Sequence, residues 1–360
     1  MGQYIARRVI LAVPVLIGIL FITFALARLI PGDPCRAVLG ERATDEICDA
    51  FFERNGLNEP IPVQFGIYLK QILFDWDLGE SFRFGRPVID IIVERLPVTI
   101  ELALAAMIFA TILGVILGII SAYWHNSGID ISTMIGANIG ISVPVFVLGL
   151  LLQYVFALLL KDTFLQLPPS GRLTSGISNP AFFEVWGWSV QKDTGVFNLL
   201  SFFANLNIFN TLLTANWEAL GDTIKHLILP AVAVGTIPLA IIARITRSTL
   251  LEVLSLDYIR TARAKGLAEI GVVFRHGLSN SMLPVVTIIG LQLGSLLAGA
   301  VLTETIFNLA GLGRTLFEAI TARDYIIVQG FTLIIAIIFV VVNLIVDISY
   351  AFLDPRIRLR

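Results

Sequence analysis

The sequence predicts an all-α integral membrane protein with six transmembrane helices and further helical segments outside the bilayer. Three observations predict it. Of 360 residues, 56% are hydrophobic and 14% charged, with a mean hydropathy of +0.86, whereas soluble domains carry about 25% charged residues. Six stretches, roughly 9–30, 98–123, 132–160, 227–246, 282–305 and 326–350, are apolar over the roughly 20 residues that a helical crossing needs. With both ends inside, Arg7, Arg8, Arg244, Arg247, Arg260, Arg263, Lys265, Arg275, Arg356, Arg358 and Arg360 crowd the ends of short inner segments, as the positive-inside bias requires.

Residues 1–30 hold the inner N-terminus and the first crossing. Arg7-Arg8 before it and Ala25-Leu26-Ala27 within it resemble a signal peptide. The apolar run is longer than the roughly 7–15 residues of a signal core, so it is expected to stay as a membrane helix. Pro31-Gly32-Asp33-Pro34 then marks a turn. Residues 31–95 form an external segment too long for a simple loop. It reads as three short helices: near 44–54, ending before Gly56; from Pro60-Ile61-Pro62 to about Phe74; and after Pro87, with Val88, Ile91, Ile92 and Leu96 on one apolar side. Cys35 and Cys48 both fall here, and an oxidising outside permits a disulfide between them; two free thiols is the other reading.

Residues 96–160 carry the second and third crossings, joined by the tight turn Tyr123–Gly128 and therefore antiparallel neighbours. Gly114 and Gly118 suit close helix contact. Pro144 is expected to bend the third crossing, and Gln153 faces either a pore or a neighbouring helix. Residues 161–225 are rich in aromatics and tempt a seventh crossing over Val196–Thr214. Asn198, Asn205, Asn207 and Asn210 argue against it, because unpaired amides are costly in lipid. A crossing there would also turn the basic loop outward. The segment reads as an external insertion at the interface.

Residues 226–246 form the fourth crossing, from His226 to the Arg244–Arg247 end. Residues 247–281 form an inner loop, and 282–360 hold the fifth crossing, an external loop, the sixth crossing and the inner C-terminus. The fifth crossing gathers Gly290, Gly294, Ser295, Gly299 and Ala300. With Gln292 these residues line a translocation path or serve tight packing. Glu304, at the external end, is either functional or an interfacial snorkel. Asp347 is expected to pair with an inner arginine. The path candidates are thus Gln153, Gln292, Ser295, Gly299 and Glu304.

In the inner loop, Asp257 can cap a helix and Gly266 suits a left-handed stop. Arg263 and Lys265 fall in its last turn. Ile259, Ala262 and Arg263 share one face at helical spacing, and Thr261, Ala262 and Ala264 keep it small enough to press into a groove. A second helix is expected over roughly 268–279, leading to Leu283-Pro284.

Thr261-Ala262-Arg263-Ala264-Lys265-Gly266 followed by Leu283-Pro284 resembles the EAA loop of bacterial ABC-importer permeases, in the spelling of the peptide/nickel branch; the consensus Glu is absent. The words GLNEPIPVQFGIYL, DLGESFRFGRPV, HLILPAVAVGTIPLAIIARITRSTL and SYAFLDPRIR resemble the same branch, with 165–225 the part least covered. The resemblance implies that Asp257, Tyr258, Arg260, Thr261, Ala262, Arg263, Ala264, Lys265, Gly266 and Leu267 form a coupling helix docked in an ATPase subunit. It implies a second homologous permease, one or two ATP-binding subunits and an extracytoplasmic substrate-binding protein as partners, in the bacterial or archaeal cytoplasmic membrane. Nucleic acid is not among the expected partners. The implied cargo is a dipeptide or oligopeptide, with nickel chelates, glutathione or oligosaccharides as alternatives.

No Walker phosphate cradle, H-E-x-x-H or G-x-S-x-G is found, and His125, His226 and His276 form no ligand spacing. The chain is therefore expected to hold no cofactor and to be no enzyme, ATP being bound by its partners. An ion-coupled secondary transporter needs charges within its spans; only Asp347 and Glu304 are read there, both near the ends. A membrane scaffold is the remaining rival.

Overall fold

A chain in lipid must satisfy every backbone polar group internally, and this one does so with helices. The computed structural model describes residues 2–29, 35–36, 40, 43–54, 56–192, 194–298 and 300–353. The Pro31–Pro34 turn, Gly299 and the arginines at 356, 358 and 360 lie outside the described residues.

The elements are α1 (Gly2–Leu29), α2 (Asp45–Arg54), α3 (Ile61–Lys70), α4 (Val88–Tyr123), α5 (Gly128–Ser142) and α6 (Val145–Leu159). Then come α7 (Phe182–Val185), α8 (Gly195–Ala204), α9 (Asn207–Leu213), α10 (Trp217–Leu254) and α11 (Asp257–Ala264). The last are α12 (Glu269–Leu297), α13 (Val301–Ile306), α14 (Leu312–Thr321) and α15 (Tyr325–Leu353). Five of these, α1, α4, α10, α12 and α15, are long and apolar enough to cross a membrane. The α5–α6 pair passes the same test but is bent by 99° at Val143-Pro144, and the α8–α9 pair is bent by 93°. The range is therefore five to seven spans, and the expected third crossing is two helices at a sharp angle, a broken span or a re-entrant loop, rather than a bent rod.

Several boundaries move. The expected external helix after Pro87 and the second crossing are one 36-residue helix, α4, that runs through Pro97. Proline removes the bond to the carbonyl four residues back. Here that carbonyl, of Val93, accepts instead from Asn205 Nδ2 at 3.2 Å, so the helix continues unbroken. The fourth crossing starts nine residues before His226 and continues past Arg247 to Leu254. The helix expected to stop near Ser279 instead runs on as α12, with widened turns over Val272–Leu278 inside it.

Packing centres on α4 and α10, which run in the same direction. A Cβ on Gly114 would lie 2.8 Å from Leu239 O, and one on Gly118 2.7 Å from Ala243 O. On α10, a Cβ at Gly235 would lie 2.9 Å from Ala106 O. Small residues on both helices thus let the backbones touch, as expected for Gly114 and Gly118. On α12, Gly294 faces Phe339 of α15. α1 lies along α15: Arg8 pairs with Asp347 at 2.9 Å at one end, as expected for Asp347, and Arg28 reaches Gln64 at the other.

The bundle therefore has two distinct ends. One carries Arg8, the α4–α5 turn, α11 and Asp347. The other carries α2, α3, Glu304 and the start of α15. At the second end, Cys35 and Cys48 are joined by a disulfide with Cα atoms 5.4 Å apart. Val88, Ile91, Ile92 and Leu96 form a core there with Phe24, Leu312 and Phe331.

Candidate functional site

The short helix α11 is bounded as its sequence suggested, with one change. Asp257 is its first residue and Leu256 its N-cap; the Asp257 side chain makes no cap bond and faces Arg260 at 3.3 Å. Gly266 takes φ +77° with open space where a Cβ would stand, which is why glycine ends the helix there.

The apolar face of α11 points inward. Ile259 and Ala262 are buried against Leu254 and Val272. They do not share this face with Arg263, which is exposed and bonded through Nε and NH2 to Glu269 at 3.1 and 2.6 Å. The Glu269 carboxylate raises the Arg263 guanidinium above its ordinary range. The outward surface comprises Tyr258, Arg260, Thr261, Ala264, Lys265 and Leu267, all exposed. Tyr258 and Leu267 are 42% and 47% exposed. Tyr258, Thr261, Ala264 and Leu267 are thus left on the exposed side of α11, and the Ile259/Ala262 flank anchors it.

That anchor is tied to the bundle. Leu250 of α10, Val273 of α12 and Ala122 of α4 form one buried cluster. A Cβ on Gly277 would lie 3.0 Å from Leu250 and 3.1 Å from Leu254. Next to it, Arg247 binds both oxygens of buried Asp130 at 2.8 and 2.7 Å, and Ser121 donates to the same carboxylate.

The path candidates separate. Gln292 and Ser295 line one cavity of about 380 Å³ with Val145, Val234, Pro238 and Leu302. Gln153 does not reach it: its Nε2 donates to Pro169 O at 2.7 Å and Ile306 O at 3.1 Å, a brace from α6 to one loop and to the end of α13. Glu304 is fully buried. Its carboxylate accepts from Thr99 Oγ1 at 2.7 Å and from the Arg314 N–H at 2.8 Å at the start of α14. It therefore holds α4, α13 and α14 together rather than snorkelling or facing the cavity.

One intramembrane charge was missed. Glu101 lies within the second apolar run and is buried. It pairs with Arg172 at 2.6 Å and accepts the Ile208 N–H at 2.7 Å. The polar groups of 161–225 find partners in the same way. Asn198 donates to Asp90 at 3.3 Å, and Asn210 donates to Asn179 and Pro180 at 2.8 and 2.9 Å. Asp324, which no sequence motif marks, caps α15 through the Ile327 N–H and accepts from Ser81 Oγ at 2.6 Å.

Two family models match the chain. Residues 114–359 match the binding-protein-dependent transport system inner membrane component, and residues 1–103 match the N-terminal component of the same systems. The dipeptide transport system permease protein DppB of Alkalihalophilus pseudofirmus is 45% identical over 99% of this chain and 100% of its own length. The di/tripeptide transport system permease protein DppB of Pseudomonas aeruginosa is 43% identical over 99% of both chains. The Escherichia coli dipeptide permease protein DppB is 42% identical, again over 99% of both. These matches run through 161–225, so that segment is part of the resemblance and not outside it. With its helical bundle and with likeness extending over nearly the whole length of these permeases, the chain belongs to the family of binding-protein-dependent transport system inner membrane components.

Proposed function

We propose that this chain is one permease subunit of an ATP-driven importer of dipeptides or other short peptides, working by alternating access. The observation that carries this reading is the end-to-end likeness to permeases whose names specify dipeptide or di/tripeptide transport. A homologous permease completes the path, and Gln292 and Ser295 contribute polar groups to this chain's half of it. One or two ATP-binding subunits engage α11 through Tyr258, Thr261, Ala264, Lys265 and Leu267. ATP is bound there and not by this chain, which holds no cofactor. A substrate-binding protein delivers the peptide to the end that carries α2, α3 and 161–225.

The cation bias supports this orientation. Arg7, Arg8, Arg244, Arg247, Arg260, Arg263, Lys265 and Arg275 belong to the α11 end, which is therefore cytoplasmic, along with both termini. Six crossings follow if the broken α5–α6 pair counts as one and α8–α9 stays at the external interface. Glu101 and Glu304, being engaged by Arg172 and Thr99, leave no free intramembrane carboxylate among the described residues for ion coupling.

Uptake of a labelled dipeptide into cells tests the reading. It should vanish when the gene is deleted and return with it. It should fail on ATP depletion and persist when the proton gradient alone is collapsed; the reverse dependence would remove the importer reading.

A further inference from the structure

A polar cavity of about 670 Å³ lies at the end of the bundle opposite α11, between the last turns of α1, α3, the 78–82 stretch and the first turn of α15. Its size is that of a small-molecule site. Three donors line it. Arg28 stacks on the Phe24 ring at 3.4 Å and gives Nε–H to Gln64 Oε1 at 2.5 Å. Gln64 is held in place by its own bonds to Leu57 O and Glu59 O at 3.1 and 2.7 Å. Among the described residues no carboxylate pairs with Arg28. Tyr68, whose ring packs on Phe24 at 5.6 Å, leaves its hydroxyl without a partner, as does Gln329 with its Nε2. These side chains are only 8% and 1% exposed. Buried donors without acceptors are rare and costly in native structures. Two of them beside a cation, around one cavity, leave room for an anionic oxygen group. Glu53 and Glu80 stand exposed on the same cavity wall.

We propose that this cavity binds a small zwitterion. Its oxyanion end accepts hydrogen bonds from Arg28, Tyr68 and Gln329, and its ammonium end turns toward Glu53 and Glu80. Two sources carry this chemistry: the free termini of a short peptide, and the phosphoethanolamine headgroup of a lipid at the bilayer rim. The peptide source rests on the importer reading above; the site itself does not.

Saturation-transfer NMR on the full chain in phosphatidylcholine nanodiscs tests the site without any transport or ATPase step, so failure here leaves the importer reading standing. The probes are dialanine, its C-terminal amide and glycerophosphoethanolamine. Saturable binding of dialanine but not of the amide, weakened about tenfold or more by Arg28→Gln and by Gln329→Leu, is the expected result. Binding of glycerophosphoethanolamine alone, with the same dependence on both residues, keeps the site and assigns it to lipid. Gln329→Leu keeps the side chain's volume, so a folding loss in Arg28→Gln does not blunt the test. Saturation by none of the probes, or binding unchanged in both variants, overturns the proposal.

Discussion

Gly118 decides how closely α4 and α10 can approach. With Ala243 O and Thr246 occupying the space of a Cβ, Gly118→Ala forces two backbones apart. The expected cost is about 1–3 kcal/mol, the usual penalty of overpacking. Gly128→Ala, where nothing lies within 4 Å of the added methyl, is the matched control and should be close to neutral. Thermal unfolding of the purified chain in mild detergent reads both. Asp130 is a second residue of this kind. Asp130→Asn keeps the shape but removes the charge that Arg247 grips with two bonds. A hydrogen bond to a charged group contributes about 1.5–3 kcal/mol, and a drop of that size in the same assay is expected.

Among the elements, α11 has one buried and one exposed face, and mutations on each should fail differently. Ile259 is fully buried, so Ile259→Ala opens a cavity and is expected to cost about 2–5 kcal/mol. Tyr258 is half exposed, and Tyr258→Ala should stay within about 0.5 kcal/mol. In the assembled importer the order reverses in kind: Tyr258→Ala should leave the fold intact while lowering substrate-stimulated ATP hydrolysis. If Tyr258→Ala lost stability instead, the assignment of its face to a partner would be wrong. The disulfide is an element-scale device too. It closes a separation of 13 residues, which chain entropy values at about 3 kcal/mol. Reduction, or replacement of both cysteines by serine, should therefore speed proteolytic cleavage around α2 and leave α4 and α10 protected.

At the scale of the molecule, the cation distribution and the two ends of the bundle make one topological claim. Trp188 and Lys265 are both exposed and lie in segments read as facing opposite sides. With the native cysteines paired, a cysteine at Trp188 should react with an impermeant maleimide on intact cells. One at Lys265 should react only after permeabilisation. Labelling at Lys265 from outside would invert the topology and detach α11 from its role. The α8–α9 pair matters here as well: its asparagines and Glu101 find partners within the chain, and the proposed six-span topology keeps this apolar hairpin, bent by 93°, at the external interface.

The all-helical membrane class, the apolar runs, the limits of α2 and α11 and the engagement of Asp347 were legible in the sequence. Each depends on composition, on proline and glycine punctuation, or on charge counted along the chain, and these are local quantities. The disulfide was legible only as a permitted pairing. The tertiary structure alone decided the rest, because the deciding partner is far away in sequence. Pro97 does not end a helix because Asn205 takes over the carbonyl it frees. Glu101 is tolerated in an apolar run because Arg172 and the Ile208 N–H meet it. Glu304 is a brace because Thr99 and the Arg314 N–H reach it. The α11 flank that looked ready for a partner is turned inward because Leu254 and Val272 offer it a closer apolar surface. A sequence states what each residue can bond to; only the packed bundle determines which of those bonds is within reach.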